Sequence, residues 1–437
     1  MPPVRTNPLT EFMMLAANDP KLKSWVNVPE GSDFPIQNLP FGIFSTGNTE
    51  PRVGVAIGEQ ILDLAVIHHN GLFNGLNLPA ETFNSDSLNA FMALGKEVWT
   101  NTRNRISQLL KSATADLRDD EKLVKKALIP MKEAMMLMPV SIGDYTDFYA
   151  SKEHATNVGC MFRDPDNALL PNWLHLPVGY HGRASSVVIS GTPLRRPMGQ
   201  TKADDAEAPS YGASRLVDFE LEMGFFIGQG NGLGHQIKAN DAENHIFGMV
   251  LFNDWSARDI QKWEYVPLGP FLGKSFGSHV SPWVVTLDAL DSFRVDDNEK
   301  EKELLPYLQT EGQKNFDINL EVAIVPEKGE GKTVSNSNYK YMYWNMAQMV
   351  AHHTVNGCNL NTGDLLATGT ISGPTEAEYG SMLELSWKGT KPLQMPDGSE
   401  RKFIQDGDTV VMKGYCEKNG VRIGFGEVSG KILPALV

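Results

Sequence analysis

The chain has 437 residues, three cysteines and a formal net charge of −14 at pH 7. This charge repels nucleic acid and anionic membranes at long range, and no stretch approaches the roughly 18 to 20 apolar residues that span a bilayer. The cysteines are far apart with no CxxC pair, so neither a disulfide framework nor a structural zinc site is indicated. Residues 1–8 contain no apolar leader core. We therefore expect a cytoplasmic protein that binds neither nucleic acid nor membranes.

Residues 1–140 are predicted to form a small separate module without recognisable chemistry. Two apolar runs joined through Gly58 and Glu59 predict a hairpin over 52–64. Apolar residues at helical spacing predict one amphipathic helix capped near Ser87 and another around Ile106, and a charged helix is expected over 116–126.

The second part begins at Ser141, where polar residues set among glycine, proline and aromatic residues become dense. A short helix is expected over 147–157, which would place Asp147 and His154 on one side. A short strand is expected over 186–190.

The segment 218–223 alternates carboxylates with apolar residues, which is typical of a strand. Phe219, Leu221 and Met223 would share one face, and Asp218, Glu220 and Glu222 the other. On these six residues alone, a solvated edge strand and a cation site are about equally good explanations. The apolar continuation 224–228 indicates a buried strand and favours the cation.

A second polar cluster follows the buried strand expected over 247–252. On a helix starting at Asn253, the residues Asp254, Arg258, Gln261 and Tyr265 would form one face. Lys274 lies among glycines and phenylalanines, where a lysine is not readily solvated.

The glycine run 228–234 superficially resembles a dinucleotide fingerprint, but no helix opens directly after it, so we interpret it as a turn. Further on, a helix is expected over 338–354. Strands are expected over 281–286, 317–325, 364–367, 381–387, 409–415 and 421–428. Many strands with few long helices predict a mainly β fold of the roll or barrel type rather than a doubly wound sheet.

These elements supply groups for metal-assisted attack of water on a carbonyl. Asp147, Glu220, Glu222 and Asp254 could converge on one hard cation, and oxygen ligands favour Mg²⁺ or Ca²⁺ over zinc. His154 could act as general base, while Arg258, Gln261 and Lys274 could hold an oxyanion. Nearby tyrosines are Tyr149, Tyr180 and Tyr265.

Several long blocks of the sequence resemble the fumarylacetoacetate hydrolase family. The resemblance runs from about residue 142 to the C-terminus and more loosely through the N-terminal module. Its blocks are Asp144-Tyr-Thr-Asp-Phe-Tyr149, His154-Ala-Thr-Asn-Val-Gly159, Asn172-Trp-Leu-His-Leu-Pro-Val-Gly-Tyr-His-Gly-Arg-Ala184, Asn253-Asp-Trp-Ser-Ala-Arg-Asp259, Gly269-Pro-Phe-Leu-Gly-Lys-Ser-Phe-Gly277 and Gly369-Thr-Ile-Ser-Gly373.

The resemblance implies a role for each matching residue. The implied calcium ligands are Asp147, Glu220, Glu222 and Asp254, and the positions around a second ion, magnesium, are Asp254, Lys274 and Ser278. The family commonly has threonine at the position of Ser278. His154 is the implied base, oriented by Glu384, and Arg258, Gln261 and Lys274 are the implied oxyanion-stabilising groups. The implied substrate-binding residues are Tyr149, Arg163, Tyr180, Gln261, Tyr265 and Thr370.

The resemblance also implies a fold and a reaction. The fold would be mainly β with some α: a small SH3-like β-barrel over 1–140 and a large mixed β-roll catalytic domain over 141–437, assembled as a homodimer. The reaction would be metal-dependent hydrolysis of a carbon-carbon bond of 4-fumarylacetoacetate to fumarate and acetoacetate, the last step of tyrosine and phenylalanine degradation, with a divalent cation holding the diketone. The alternatives are an acylpyruvate hydrolase or oxaloacetate decarboxylase of the same superfamily, and a non-catalytic cation-binding β protein.

Overall fold

The computed structural model describes residues 15–47 and 49–436. The segment 1–8, in which no leader was predicted, lies outside these ranges. Across the described residues, no helix has the length and apolar character needed to cross a membrane.

The N-terminal part is built on a five-stranded antiparallel sheet. In spatial order its strands are Leu128–Pro130, Gln60–Asp63, Arg52–Ile57, Phe41–Ser45 and Met135–Leu137. The predicted hairpin over 52–64 is confirmed, and Gly58 turns it with a φ of +56° that glycine adopts readily. The helices beside this sheet are Leu64–His69, Asn89–Met92, Lys96–Leu110 and Glu121–Ala127.

A mixed central sheet forms the middle of the molecule. Its strands run in the order Gly179–His181, Tyr145–Phe148, Leu365–Ala367, Leu221–Ile227, Ile246–Asp254, Ser278–Val280 and Val187–Ile189, and Val285–Thr286 also pairs with Ile246–Asp254. Every residue of Leu221–Ile227 and Ile246–Asp254 is buried, as their apolar sequences predict for strands covered on both faces.

The two faces of this sheet belong to different hydrophobic clusters. Leu221, Met223 and Phe225 pack into the larger cluster together with the C-terminal sheet. Phe226 and Phe252 pack with the core of the N-terminal part. The C-terminal sheet consists of Lys332–Asn338, Asn319–Val325, Thr409–Lys418, Val421–Leu433 and Leu194–Arg195.

The remaining elements are short. Two-stranded sheets pair Met198–Thr201 with Ser210–Ala213, Val217–Asp218 with Ser256–Ala257, Arg294–Val295 with Asn315–Phe316, and Leu393–Gln394 with Glu400–Arg401. The other α-helices are Lys152–Phe162, Arg258–Glu264, Leu287–Leu290, Met346–Thr354 and Met382–Leu385. The predicted strand-rich, mixed fold class is confirmed.

Two helices that were expected to carry aspartates of the site start later than predicted. Asp147 lies in the strand Tyr145–Phe148, and its helix begins only at Lys152, after the cap Ser151. Asp254 is the last residue of the strand Ile246–Asp254, and the helix Arg258–Glu264 follows. The spacing of the polar residues matched one face of a helix, but the two aspartates lie at or near the ends of strands.

Three further boundaries were also wrong. The strand expected over 381–387 is instead the one-turn helix Met382–Leu385, capped by Ser381. The helix expected over 338–354 covers only Met346–Thr354, because the preceding strand continues to Asn338. Of the strand expected over 281–286, only Val285–Thr286 forms a strand, and Pro282, which has no N–H for the ladder, lies between it and the preceding strand Ser278–Val280.

Candidate active site

Three carboxylates, each from a different strand of the central sheet, lie close together in the interior of the protein. Each of Asp147, Glu222 and Asp254 is buried, and one oxygen of each lies within 4.8 Å of the corresponding oxygens of the other two. We call these residues the acidic triad. Burial raises the pKa of Asp147, and the neighbouring charge of Asp254 raises it further. Burial likewise raises the pKa of Glu222, with the charge of Asp147 adding to the effect.

The acidic triad fits a hard divalent cation. The Oδ1 of Asp147 is buried and has no hydrogen-bond partner among the described residues, which is costly unless another group binds it. Glu222 Oε2 accepts a hydrogen bond of 3.0 Å from the backbone N–H of Gly369. Carboxylate oxygens are the ligands that Ca²⁺ and Mg²⁺ prefer. A metal ion would therefore satisfy Asp147 and relieve the mutual repulsion of the triad.

Glu220 lies beside the triad and is neutralised by side chains. It accepts hydrogen bonds from Arg258 Nη2 at 2.8 Å, from Ser256 Oγ at 3.1 Å, and from Lys274 Nζ. Burial would raise the pKa of Glu220, but the charges of Arg258 and then Lys274 outweigh it and hold the pKa well below its usual range. Glu220 is therefore ionised and already paired, and the structure does not bring it into the triad.

Lys274 connects Glu220 to the triad. Its Nζ also donates to Asp254 Oδ2 at 2.5 Å. Burial would lower the pKa of Lys274, but Asp254 and then Glu220 raise it above the ordinary lysine value. The amine is therefore a charged ammonium without a lone pair, so any contact of Lys274 with an ion would use its backbone carbonyl oxygen.

His154 and Glu384 form a buried pair next to this cluster. Nδ1 of His154 lies 2.7 Å from Oε2 of Glu384, and Nε2 lies 3.9 Å from Oε1 of Glu220. An ionised carboxylate can only accept, so Nδ1 carries the proton and Nε2 is free to act as a base. Ser151 caps the helix with its Oγ, which accepts from the backbone N–H of His154 at 3.3 Å.

Glu384 is held by three further donors. It accepts from Asn157 Nδ2 at 2.9 Å, from Ser372 Oγ at 2.9 and 3.0 Å, and from Ser381 Oγ at 2.8 Å. Burial would raise the pKa of Glu384, but the charge of His154 and these hydrogen bonds lower it. The carboxylate is therefore ionised and fixed in orientation.

Four of the remaining predicted site residues contact Asp254, Arg258 or His154. Tyr180 OH and Ser278 Oγ donate to Asp254 at 2.9 and 2.7 Å. Gln261 Oε1 lies 3.4 Å from Arg258 Nη1, the ring of Tyr149 meets that of His154 edge-on at 5.3 Å, and the Oγ1 of Thr370 is buried without a partner among the described residues. By contrast, Arg163 donates to the carbonyl oxygen of Ala168, and Tyr265 is half exposed.

Sequence reasoning did not assign roles to Asp218, Asn157, Ser256, Ser372 or Ser381. One signal was available, because Ser381-Met-Leu-Glu384 has the spacing of a helix capping box. The other four residues all contact the site across long sequence separations, and no local pattern reveals these partners. The alternating pattern placed Asp218 beside Glu220 without indicating its partners.

A buried acidic cluster that could bind a metal, beside a histidine with one free nitrogen, is the arrangement of a metal-assisted hydrolase. Family models support this class. The model described as "Fumarylacetoacetase N-terminal" matches residues 37–139, and "Fumarylacetoacetate (FAA) hydrolase C-terminal" matches residues 144–432. The chain belongs to the fumarylacetoacetate hydrolase family.

Similar proteins are named consistently. The chain is 60% identical to human fumarylacetoacetase over 421 residues, covering 95% of this chain and 99% of the human protein. It is 50% identical to the fumarylacetoacetase of Arabidopsis thaliana over 417 residues, with 95% and 99% coverage. A solved fumarylacetoacetate hydrolase from Exiguobacterium antarcticum shares the fold, with a TM-score of 0.52, 17% identity and 91% and 99% coverage. The prediction of a hydrolase of this family is confirmed.

Proposed function

We propose that this protein hydrolyses fumarylacetoacetate to fumarate and acetoacetate. The named relatives support this substrate, with 50 to 60% identity over nearly the whole chain. The structural observation that carries the proposal is the His154–Glu384 pair, whose free Nε2 faces the charged cluster around Glu220. Hydrolysis of a polarised carbonyl needs a general base that takes a proton from the attacking water, and this pair supplies one.

Asp147, Glu222 and Asp254 would hold a divalent cation, Ca²⁺ or Mg²⁺. Glu220, which shares Lys274 with Asp254, would join them as a fourth ligand if its side-chain partners rearranged. When bound there, the cation supplies positive charge that holds the diketone oxygens of the substrate. Lys274 and Ser278 belong to the proposal as positions around a second ion, with Ser278 Oγ already bonded to Asp254.

The chain's own groups account for the proton transfers. His154 Nε2 takes a proton from water while its Nδ1–H keeps donating to Glu384, and the charge of this carboxylate stabilises the imidazolium. The oxygen of the resulting hydroxide bonds to the carbonyl carbon, and the oxyanion is held by Arg258, Gln261 and Lys274. The oxyanion then reforms a C=O bond as the carbon-carbon bond breaks, which releases fumarate. The electron pair of the broken bond goes to the carbon of the acetoacetate fragment, which takes a proton from the imidazolium of His154 and restores the neutral base.

The substrate would be positioned by Tyr149, Arg163, Tyr180, Gln261, Tyr265 and Thr370. The buried, unpartnered hydroxyl of Thr370 supports this set, since a substrate oxygen would satisfy it. Arg163 would have to leave the carbonyl oxygen of Ala168 to meet the substrate.

The wider context is also proposed. The protein would act in the cytoplasm in the last step of tyrosine and phenylalanine breakdown, and its three unpaired cysteines suit a reducing compartment. It would form a homodimer, for which the exposed apolar side chains of Leu268 and Phe271 offer a contact surface. The division into domains near residue 140 is supported by the change from the N-terminal to the central sheet between Leu137 and Tyr145.

The deciding experiment is a spectrophotometric assay on fumarylacetoacetate, run with and without a chelator and followed by product analysis. We expect fumarate and acetoacetate in equal amounts, loss of turnover in chelator, and recovery when Ca²⁺ or Mg²⁺ is restored. Absence of turnover, together with release of pyruvate from an acylpyruvate or of carbon dioxide from oxaloacetate, would replace the proposal with that activity. Catalysis that survives full metal removal would overturn the metal-dependent part.

A further inference from the structure

Asp218 is a fully buried carboxylate that connects two parts of the site. Its Oδ1 accepts from the backbone N–H of Met382 at 2.7 Å, and its Oδ2 accepts from the backbone N–H of Leu383 at 3.0 Å. The same Oδ2 accepts from Arg258 Nε at 2.8 Å. One side chain therefore binds both the start of the helix Met382–Leu385 and the guanidinium of Arg258.

The helix Met382–Leu385 carries Glu384 and has a single turn. A helix this short has no stability of its own, because nucleation costs more than its few hydrogen bonds return. Its first backbone N–H groups need acceptors. Ser381 Oγ accepts from the N–H of Glu384, and Asp218 accepts from the two N–H groups before it. The direction in which Glu384 points therefore depends on Asp218.

Arg258 is held on two sides by two carboxylates of the same chain segment. Nε binds Asp218 and Nη2 binds Glu220. Among the residues that the structure describes, Nη1 has only the 3.4 Å contact with Gln261 Oε1. These two ion pairs fix the plane of the guanidinium and leave Nη1 as a donor for a substrate oxygen.

We propose that Asp218 is a positioning residue that fixes the His154–Glu384 pair relative to the guanidinium of Arg258. Its side chain is buried, and both of its oxygens accept hydrogen bonds from groups of the chain itself. The inference rests on the proposed function, because it assigns Asp218 to the machinery of that reaction. Hydrogen-bond donors and a general base lower the reaction barrier most when their positions are fixed before the reaction begins.

The first test is Asp218→Asn, which preserves size but leaves one acceptor oxygen for three donors. We expect kcat to fall at least about tenfold, because an oriented general base contributes about 10²- to 10⁴-fold. The matched control is Asp259→Asn. Asp259 is adjacent to Arg258 and binds Ser214 Oγ and the backbone N–H of Arg215, but it has no hydrogen bond to the helix of Glu384. This variant should stay within about twofold of wild type.

A double-mutant comparison separates a positioning effect on Glu384 from a general loss of stability. If Asp218 acts through Glu384, adding Asp218→Asn to Glu384→Gln should cost far less than it costs alone, because residues acting as a unit are non-additive. Losses that multiply, or an Asp218→Asn variant within twofold of wild type, would overturn the inference. Should Asp218→Asn fail to fold, Asp218→Glu takes its place: a folded variant at least tenfold slower supports the role, and wild-type turnover excludes it.

The same experiment keeps the two proposals apart. Wild-type turnover of fumarylacetoacetate tests the proposed function. The ratios between variants, measured on whichever β-dicarbonyl substrate the wild type cleaves, test Asp218.

Discussion

Glu220 and Glu222 are two residues apart in the chain, yet their charges are balanced in different ways. Glu220 is paired with Arg258 and Lys274, whereas Glu222 lies in the acidic triad and has a backbone N–H as its partner. The site therefore has one half, around Glu220, that is neutralised by cationic side chains. In the other half, Asp147 and Glu222 form no ion pair with a cationic side chain among the described residues.

Replacing Lys274 with Met should destabilise the protein strongly. The change removes the ammonium from two buried carboxylates, Glu220 and Asp254, and breaking a buried ion pair by removing one partner costs about 3–5 kcal/mol. Urea unfolding in the presence of chelator measures the free energy of unfolding. The control is Lys262→Met, which removes an exposed pair with Asp204 and should leave stability unchanged. Equal stability of the two variants would show that Lys274 is not needed to neutralise these carboxylates.

Cation binding should strengthen as the pH rises. The folded, metal-free protein binds protons on Asp147 and Glu222 more tightly than the unfolded chain does, because burial and mutual repulsion raise both pKa values. Its stability is therefore lost as the pH rises from the ordinary carboxylate range, about 4, through the raised values. A cation replaces these protons, so the increase in Tm on adding Ca²⁺ should grow between about pH 5 and about pH 8.

Thermal unfolding with and without Ca²⁺ across this range checks the cation prediction. Glu222→Gln removes one of the raised carboxylates and should flatten the dependence. A Ca²⁺ effect that is the same at every pH would contradict the assignment of the ion to the acidic triad.

Replacing His154 with Gln should abolish most of the turnover while the cation still binds. The expected loss in kcat is about 10²- to 10⁴-fold, the usual contribution of a general base. Calorimetric titration with Ca²⁺ should give the wild-type affinity, since His154 lies outside the triad. Unchanged kcat would refute the role of His154 as base.

Replacing Glu384 with Gln should act through the imidazole. An amide oxygen can still accept from Nδ1, but it does not stabilise the imidazolium as a charge does, so we expect kcat to fall about 10²-fold or more. The control is Glu376→Gln, an exposed residue paired with Lys391. The expected loss appears in kcat, with KM close to the wild-type value. A change confined to KM would assign Glu384 to substrate binding instead.

Phe247→Ala should show that the N-terminal part and the central sheet unfold together. The ring of Phe247 contacts Phe41, Phe91 and Trp99 of the N-terminal part with centroid distances of 5.2 to 5.8 Å. Removing a buried phenylalanine costs about 3–5 kcal/mol. We expect one unfolding transition at lower urea, whereas Leu233→Ala, on an exposed residue, should change little. Two separated transitions would indicate independent domains.

The acidic triad was better predicted from the sequence than the elements that carry it. Strict alternation at 218–223 identified the carboxylate-bearing segment, because a period of two is specific to strands. The segment is nevertheless not one strand, since the structure divides it between Val217–Asp218 and Leu221–Ile227. Asp147 and Asp254 were assigned to helices, since polar residues four and seven apart also occur by chance where a strand runs into a helix. The resemblance to known proteins named both residues correctly as members of one cluster, but it contained no information on which element carries them.

Long-range partners were beyond any local pattern. Glu384 was expected on a strand because its neighbours are apolar, but Ser381 and the distant Asp218 satisfy its backbone and make a helical turn possible. Likewise, the neutralisation of Glu220 by Arg258 and Lys274 required three-dimensional distances.

The N-terminal part and the central sheet share a hydrophobic cluster, and this determines how substitutions in the N-terminal part affect the protein. Phe252 belongs to the cluster that residues of the N-terminal part complete, and it lies two positions before Asp254 on the same strand. Substitutions in that part of the chain can therefore reduce the abundance of the enzyme while each surviving molecule keeps its normal specific activity. A cellular deficiency caused in this way would respond to a ligand that stabilises the folded state, even though the damage lies far from where that ligand binds.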